Sequence, residues 1–307
     1  MNEQHIPDAP EVVVGVDGTE TALRAVAWAA TEARLRNRPL RIVHAAPYVT
    51  STDKTVRRRA EGVLGRAYTV AHQDEPHVSA HTAQLDQQPI PALVDASRNA
   101  ALLVVGMAGE RFGEVVIGSV ALAVSASAYC PVAVVRGPHH SPVAGQPVLL
   151  GFQDAAIDAP AVTVAFDHAR RYGTRLIVLH AQRDSIRGRG TGREAQPAAE
   201  RALVEQLTPW HLRYPAVPVD LRVVHGGAAE ELLRAAGTAR LVVVGTHGHS
   251  APARAVLGST SRTLVRHSPC PVIVVHRDTV AGPTTPQPSH AGTAPTGAIT
   301  PPPHRGK

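Results

Sequence analysis

The chain has 307 residues, 44% of them hydrophobic and 18% charged, enough for two ordinary domains that each bury a core. The formal net charge of +6 favours anionic partners, but aromatics at 3% and the lack of a recognisable nucleic-acid motif argue against nucleic acid. The start MNEQHIPDAPE has neither a basic n-region nor an apolar h-region, and no apolar run nears the roughly 18 residues of a membrane helix, so a cytoplasmic chain without a membrane partner is expected.

Residues 12–16 read as a short apolar strand ending in Gly and Asp, and 21–36 carry helical periodicity. A second strand is predicted over 40–45, a polar, basic helix over 55–74, an alternating third strand over 77–85 and a short helix over 90–100. Residues 102–105 make a fourth strand. After a glycine loop a helix runs to Tyr129, and 132–135 is the fifth strand. The second half repeats this order. EVVVGVDGTETALRAVAWAATEARLRNRPLRIVHAAP at 11–47 matches PVLLGFQDAAIDAPAVTVAFDHARRYGTRLIVLHAQ at 147–182. LLVVGMAGERFGEVVIGS at 102–119 likewise matches LVVVGTHGHSAPARAVLGS at 241–259.

Nearly uninterrupted Val/Leu/Ile strands alternating with helices imply a parallel sheet covered on both faces. Right-handed crossovers then give an α/β fold of two tandem doubly wound five-stranded parallel-sheet domains, at 10–137 and 146–277. The join RGPHHSPVAGQP is rich in Pro and Gly, and so is 278–307, which reads as a disordered tail.

In such sheets ligands bind beyond the carboxyl ends of the strands, near the switch point. The fourth strand of the second half delivers Gly245-Thr246-His247-Gly248 to that edge. Glycines let main-chain N–H groups approach an anion without Cβ obstruction. Nine residues later Gly258-Ser259 opens a helix whose first N–H groups lack internal partners and, with the helix dipole, suit an anion. Ser259, Thr260 and Ser261 add hydroxyl donors. The plain alternative is an ordinary helix cap. Repetition of the loop in the same place between fourth strand and helix favours the anion site.

These residues resemble a family. The pattern G-T-H-G, nine residues, G-S-T-S, followed by C-P-V-I-V-V, is similar to the nucleotide-binding loop of the universal stress proteins, and VVVGVDGTETALRAVAWAA is similar to their strand-one motif. The resemblance covers both halves and implies a tandem, Rossmann-like member, related to adenine nucleotide alpha hydrolases in fold, with ATP as ligand, alone or with Mg²⁺. It places the base at Gly15, Asp17 and Ala45, and ribose and phosphates at Gly106, Gly109, Gly118, Ser119 and Val120. The matching second-half positions are Gly151, Gln153, Ala181, Gly245, Gly248, Gly258, Ser259, Thr260 and Ser261. It also implies pairing through the fifth strands, as a homodimer or as an intramolecular domain pair. Each half departs once from the pattern. The first loop holds eight residues between Gly109 and Gly118, and Gln153 stands where the first half has Asp17.

His44 and His180 end the second strand in both copies and read as structural. His247 and His249 flank the second loop, but nothing nearby completes a zinc site. Cys130 and Cys270 occupy the same place before a proline and read as packed small residues. No G-x-x-x-x-G-K-[ST] loop exists, Lys54 and Lys307 being the only lysines, and no G-x-S-x-G elbow is present. GRGTG in the 183–195 insertion follows no immediate strand and reads as a flexible loop. Three readings stand: an ATP-binding regulatory protein of the stress response that is not an enzyme, a nucleotide-free interaction module, and, last, a slow ATP hydrolase.

Overall fold

The computed structural model describes residues 9–47, 54–107, 119–136, 145–182, 192–246, 256–279 and 299–300. The chain divides into two compact units, Met1–His139 and His140–Lys307. The first contains β1 (Glu11–Gly15), α1 (Glu20–Arg36), β2 (Leu40–Ala45), α2 (Lys54–Asp74) and β3 (Ala80–Leu85), then α3 (Pro89–Ala96), β4 (Ala100–Gly106), α4 (Ser119–Ser127) and β5 (Val132–Val135). Every strand pair is parallel, in the order β3-β2-β1-β4-β5. Helices α1 and α2 pack together, as do α3 and α4. This is the doubly wound arrangement expected from the sequence.

The burial pattern explains the apolar runs. Val12, Val13 and Val14 of β1, Leu102–Val105 of β4 and all of β5 are buried, because helices cover both faces of the central strands. Edge strand β3 has no fully buried residue, with Ala80, Ala83 and Leu85 half-buried and the rest exposed. Helix α1 turns Ala22, Ala25, Val26, Ala29, Ala30 and Ala33 to the sheet, and small side chains bring it close. Its end at Asn37 is left-handed (φ 51°), and the next unit closes its first helix on Gly173 (φ 60°).

The second unit repeats the plan with β6 (Val148–Gly151), α5 (Ala155–Tyr172), β7 (Leu176–Gln182), α6 (Gly192–Arg213) and β8 (Val219–His225). It continues with α7 (Ala228–Ala236), β9 (Leu241–Gly245), α8 (Ser259–His267) and β10 (Val272–Val275). The parallel order is β8-β7-β6-β9-β10. Ile299–Thr300 adds a two-residue strand, β11, beside Val219 and Asp220 of β8. Two residues of the segment expected to be a disordered tail are therefore paired. Residues 280–298 and 301–307 lie outside the described residues.

Three boundaries differ from expectation for local reasons. The third strand starts at Ala80 because Val78 N–H closes a turn on the Glu75 carbonyl. The third helix stops at Ala96 and passes into a 3₁₀ turn, Ser97–Asn99. There the Ser97 hydroxyl donates to the Val94 carbonyl (2.6 Å) and accepts from Tyr129 N–H (2.9 Å). That second bond also takes Tyr129 out of α4, which ends at Ser127.

Two exposed glycines, Gly62 and Gly65, stand inside α2, and a Cβ at either would meet nothing within 4 Å. Alanine loses less backbone freedom on folding, so Gly62→Ala and Gly65→Ala should each stabilise the first half by about 0.5–1 kcal/mol. A higher midpoint in denaturant titration is the expected result, and an unchanged or lower one counts against it.

Candidate functional site

The strand order reverses between β1 and β4, and between β6 and β9, so the carboxyl ends of these strands open a crevice in each unit. The residues predicted from the first and fourth strands meet there. Gly15 lies at the end of β1 beside Val105, with Gly106 the last residue of β4. Ala45 and Ala181 close to the same edge from β2 and β7.

Gly15 and Gly151 occupy equivalent packing positions. A Cβ on Gly15 would come within 3.0 Å of the Leu93 side chain, and one on Gly151 within 2.9 Å of Leu232. Gly106 is more constrained: a Cβ there would stand 2.6 Å from the Thr21 carbonyl oxygen and 2.9 Å from Ala22 N. The first turn of α1 crosses directly over the end of β4, so this glycine serves helix–sheet packing as well as any ligand.

The turn after β1 is held by side chains. Asp17 is exposed, and its Oδ1 accepts both Thr19 N–H (2.9 Å) and the Thr19 hydroxyl (2.6 Å). Thr19 caps α1 by accepting Ala22 N–H. Gly18 takes a positive φ of 88°, with Val63 and the Arg66 guanidinium of α2 beside it. The equivalent second-half turn is built differently. Asp154 caps α5, accepting Ala156 N–H at 2.7 Å, so it turns into the helix rather than toward a ligand. Buried Asp158 accepts Gln153 N–H (2.7 Å) and Asp154 N–H (3.3 Å), and Gln206 accepts Ala155 N–H (2.9 Å). Gln153 itself is exposed. The sequence reading missed Asp158 and Gln206. Their only trace is the pair of aspartates four apart at a helix start, which is capping chemistry.

His44 and His180 make the same bond in the two units, Nδ1 to the carbonyl of Val16 (2.6 Å) and of Phe152 (3.1 Å). Each pins the end of one strand to the residue after its neighbour, the structural role expected.

At the start of α8, Gly258 N–H donates to the Thr246 carbonyl (2.7 Å) and the Ser261 hydroxyl donates to the Gly245 carbonyl (2.6 Å). Ser261 is buried, so its hydroxyl proton ties α8 to β9 and is not offered to an anion as expected. Gly258 is the N-cap of α8 and brings no side chain to it. Among the described residues no partner takes the main-chain N–H of Ser259, Thr260 or Ser261. The exposed Ser259 and half-buried Thr260 hydroxyls lie at this end. In the first unit Ser119 and Val120 are the first two residues of α4. Gly109, Gly118, Gly248, His247 and His249 lie outside the described residues, as does the GRGTG sequence apart from its last glycine.

The cysteines are free and buried, and burial pushes the Cys130 thiol up to about 12 and Cys270 to about 11. Neither forms a thiolate near neutral pH. Among the described residues no three His, Cys, Asp or Glu side chains gather as a metal site. No helix among them is long and apolar enough to cross a membrane.

The universal stress protein family model matches residues 10–136 and again 146–276. The chain is a tandem member of the universal stress protein family. Universal stress proteins of Mycobacterium tuberculosis are similar along nearly their full length, one at 32% identity over 290 residues, covering 87% of this chain and 97% of the relative. One from Mycolicibacterium smegmatis is 33% identical over 282 residues, covering 86% and 96%. A crystal structure of a universal stress protein from Archaeoglobus fulgidus shares the fold, with a TM-score of 0.68 at 19% identity, covering 88% of this chain and 100% of that one. The two-unit architecture of this universal stress protein is thus the architecture of whole relatives.

Proposed function

We propose that this universal stress protein binds adenine nucleotide, ATP in particular, as a regulatory ligand in the stress response. The observation that carries the reading is the start of α8: three successive main-chain N–H groups without partners among the described residues, behind a glycine cap, at the carboxyl edge of β9. That is a geometry suited to phosphate oxygens. Ser259 and Thr260 with Gly245 would hold phosphates and ribose in the second unit, and Ser119, Val120 and Gly106 in the first. Ser261 positions this edge through Gly245. Asp17 and Gln153 would face the base end, with the main chain at Ala45 and Ala181. Mg²⁺ would arrive on the phosphates. Among the described residues the donors are main-chain and hydroxyl groups, with no charge clamp or positioned nucleophile, so the reading is binding and release rather than turnover.

Thermal unfolding with and without ATP–Mg²⁺ tests it. Ligand at about a hundred times its Kd should add roughly 2.7 kcal/mol to the half that holds it. Gly118→Val and Gly258→Val should each remove the shift from their own half. A folded protein with no shift at millimolar ATP would favour the nucleotide-free interaction module. Phosphate release faster than about one per second would favour the hydrolase.

A further inference from the structure

A groove of 430 Å³ lies beside α3 in the first unit. Arg41 of β2 and Leu85 of β3 line its sheet side, Ala92, Asp95 and Ala96 its helix side, and Asp86 the turn between. None of the positions assigned above to the nucleotide lines it. Arg41 is half-buried, and its guanidinium has no partner among the described residues. The carboxylates around it are engaged elsewhere or stand apart. Glu11 lies 3.4 Å from His81, and Asp95 lies 3.5 Å from Arg98 in an exposed pair of the kind that contributes little.

The second unit is built differently at the same place. Leu93 and Leu232 pack against the equivalent glycines Gly15 and Gly151, which aligns Ala92 and Asp95 with Glu231 and Arg234. Arg41 pairs with Val13, two residues before Gly15, and Ile177 pairs with Leu149, two residues before Gly151. Arg41 thus stands where the other unit has a buried isoleucine. In that unit Glu231 pairs with Arg234 and Asp220 with Arg222, so the charges close on one another. In the first unit a cation and two carboxylates line one groove without pairing across it.

We infer that this groove binds a free α-amino acid with a small aliphatic side chain. A guanidinium takes a carboxylate through two parallel N–H bonds, and desolvation makes an unpaired, half-buried one costly. Asp86 and Asp95 carry the opposite sign and accept from an ammonium. A simple anion would face the two carboxylates and a simple cation would face Arg41, so each meets opposition that a zwitterion escapes. Leu85, Ala92 and Ala96 give the groove an apolar flank, which suits an aliphatic side chain. The volume falls at the low end of the roughly 300–1,000 Å³ of ligand pockets, so the ligand is small.

Amide NMR shifts of the full chain test this, with L-valine as the probe. Valine should shift the amides of Asp86, Ala92 and Ala96 saturably, with the millimolar Kd expected of so small a ligand. Valinamide lacks the carboxylate and N-acetylvaline lacks the ammonium. Each should bind at least about tenfold more weakly, since a hydrogen bond to a charged group is lost. Arg41→Ile, which installs the residue of the other unit, should abolish the shifts, and Asp95→Asn, at an exposed position, should weaken binding severalfold. Unchanged amides in β4 and β5 mark both variants as folded, and the capped ligands test the unaltered chain. No saturable shift with valine, equal binding of either capped form, or binding that survives Arg41→Ile overturns the inference.

Discussion

Gly106→Ala should lower the stability of the first half by about 3 kcal/mol, at the upper end of what overpacking costs. The added methyl would stand 2.6 Å from the Thr21 carbonyl oxygen and 2.7 Å from its carbon. Both are main-chain atoms of the first turn of α1, so no rotamer change relieves the clash. Either α1 or the end of β4 must move, and β4 is buried on both faces. Gly15→Ala makes the contrast. Its methyl would meet only the Leu93 side-chain methyls at 3.0 and 3.1 Å, which can turn aside, so a loss of about 1 kcal/mol is expected. Trp28 and Trp210 are the only tryptophans and fall one in each half. Unfolding of the first half is therefore read from Trp28 in a Trp210→Phe background. A Gly106→Ala protein that keeps its midpoint and loses only nucleotide binding would show that this glycine serves the ligand alone.

Asp158→Ala should cost the second half about 3 kcal/mol, because two hydrogen bonds from main-chain N–H to a carboxylate are lost together. The carboxylate lies buried in the first turn of α5, where the helix dipole offsets its charge and Asp154 caps from outside. Removing it frees the turn that carries Gln153 as well as weakening the helix start. Asp158→Asn keeps the shape and one acceptor oxygen, so its cost should be smaller, about 1–2 kcal/mol. Chemical unfolding followed by Trp210 in a Trp28→Phe background measures both. Two variants that unfold with the wild type would mean that solvent satisfies these N–H groups equally well, and that Asp158 does not hold the turn.

Much of the molecule is legible before any coordinates. Period and apolar continuity place the five strands and four helices of the first half within a few residues, and the repeat carries the plan into the second half. The slips at Ala80, Ala96 and Ser127 came from single bonds, Val78 to Glu75 and Tyr129 to Ser97, which no periodicity encodes. The loop glycines and Ser259–Ser261 carry, through type and spacing, the expectation of an anion site that the proposed function takes up. His44 and His180 announce a structural role by recurring at the same strand end, and the bonds to Val16 and Phe152 agree.

Sequence alone determined the fold and placed the glycine-bearing turns at one edge of the sheet, because hydrophobic period and glycine spacing are local and the repeat states them twice. Tertiary structure decided what each polar group at that edge has left to offer. Ser261 spends its proton on Gly245, and Gly106 is excluded from bearing a side chain by Thr21. Asp158 and Gln206, five and 53 residues beyond Gln153, close the turn that its counterpart at Asp17 leaves open. Hydrogen-bond capacity is shared among groups that only folding brings together, so the difference between two equivalently placed turns is fixed in space and not in their spacing.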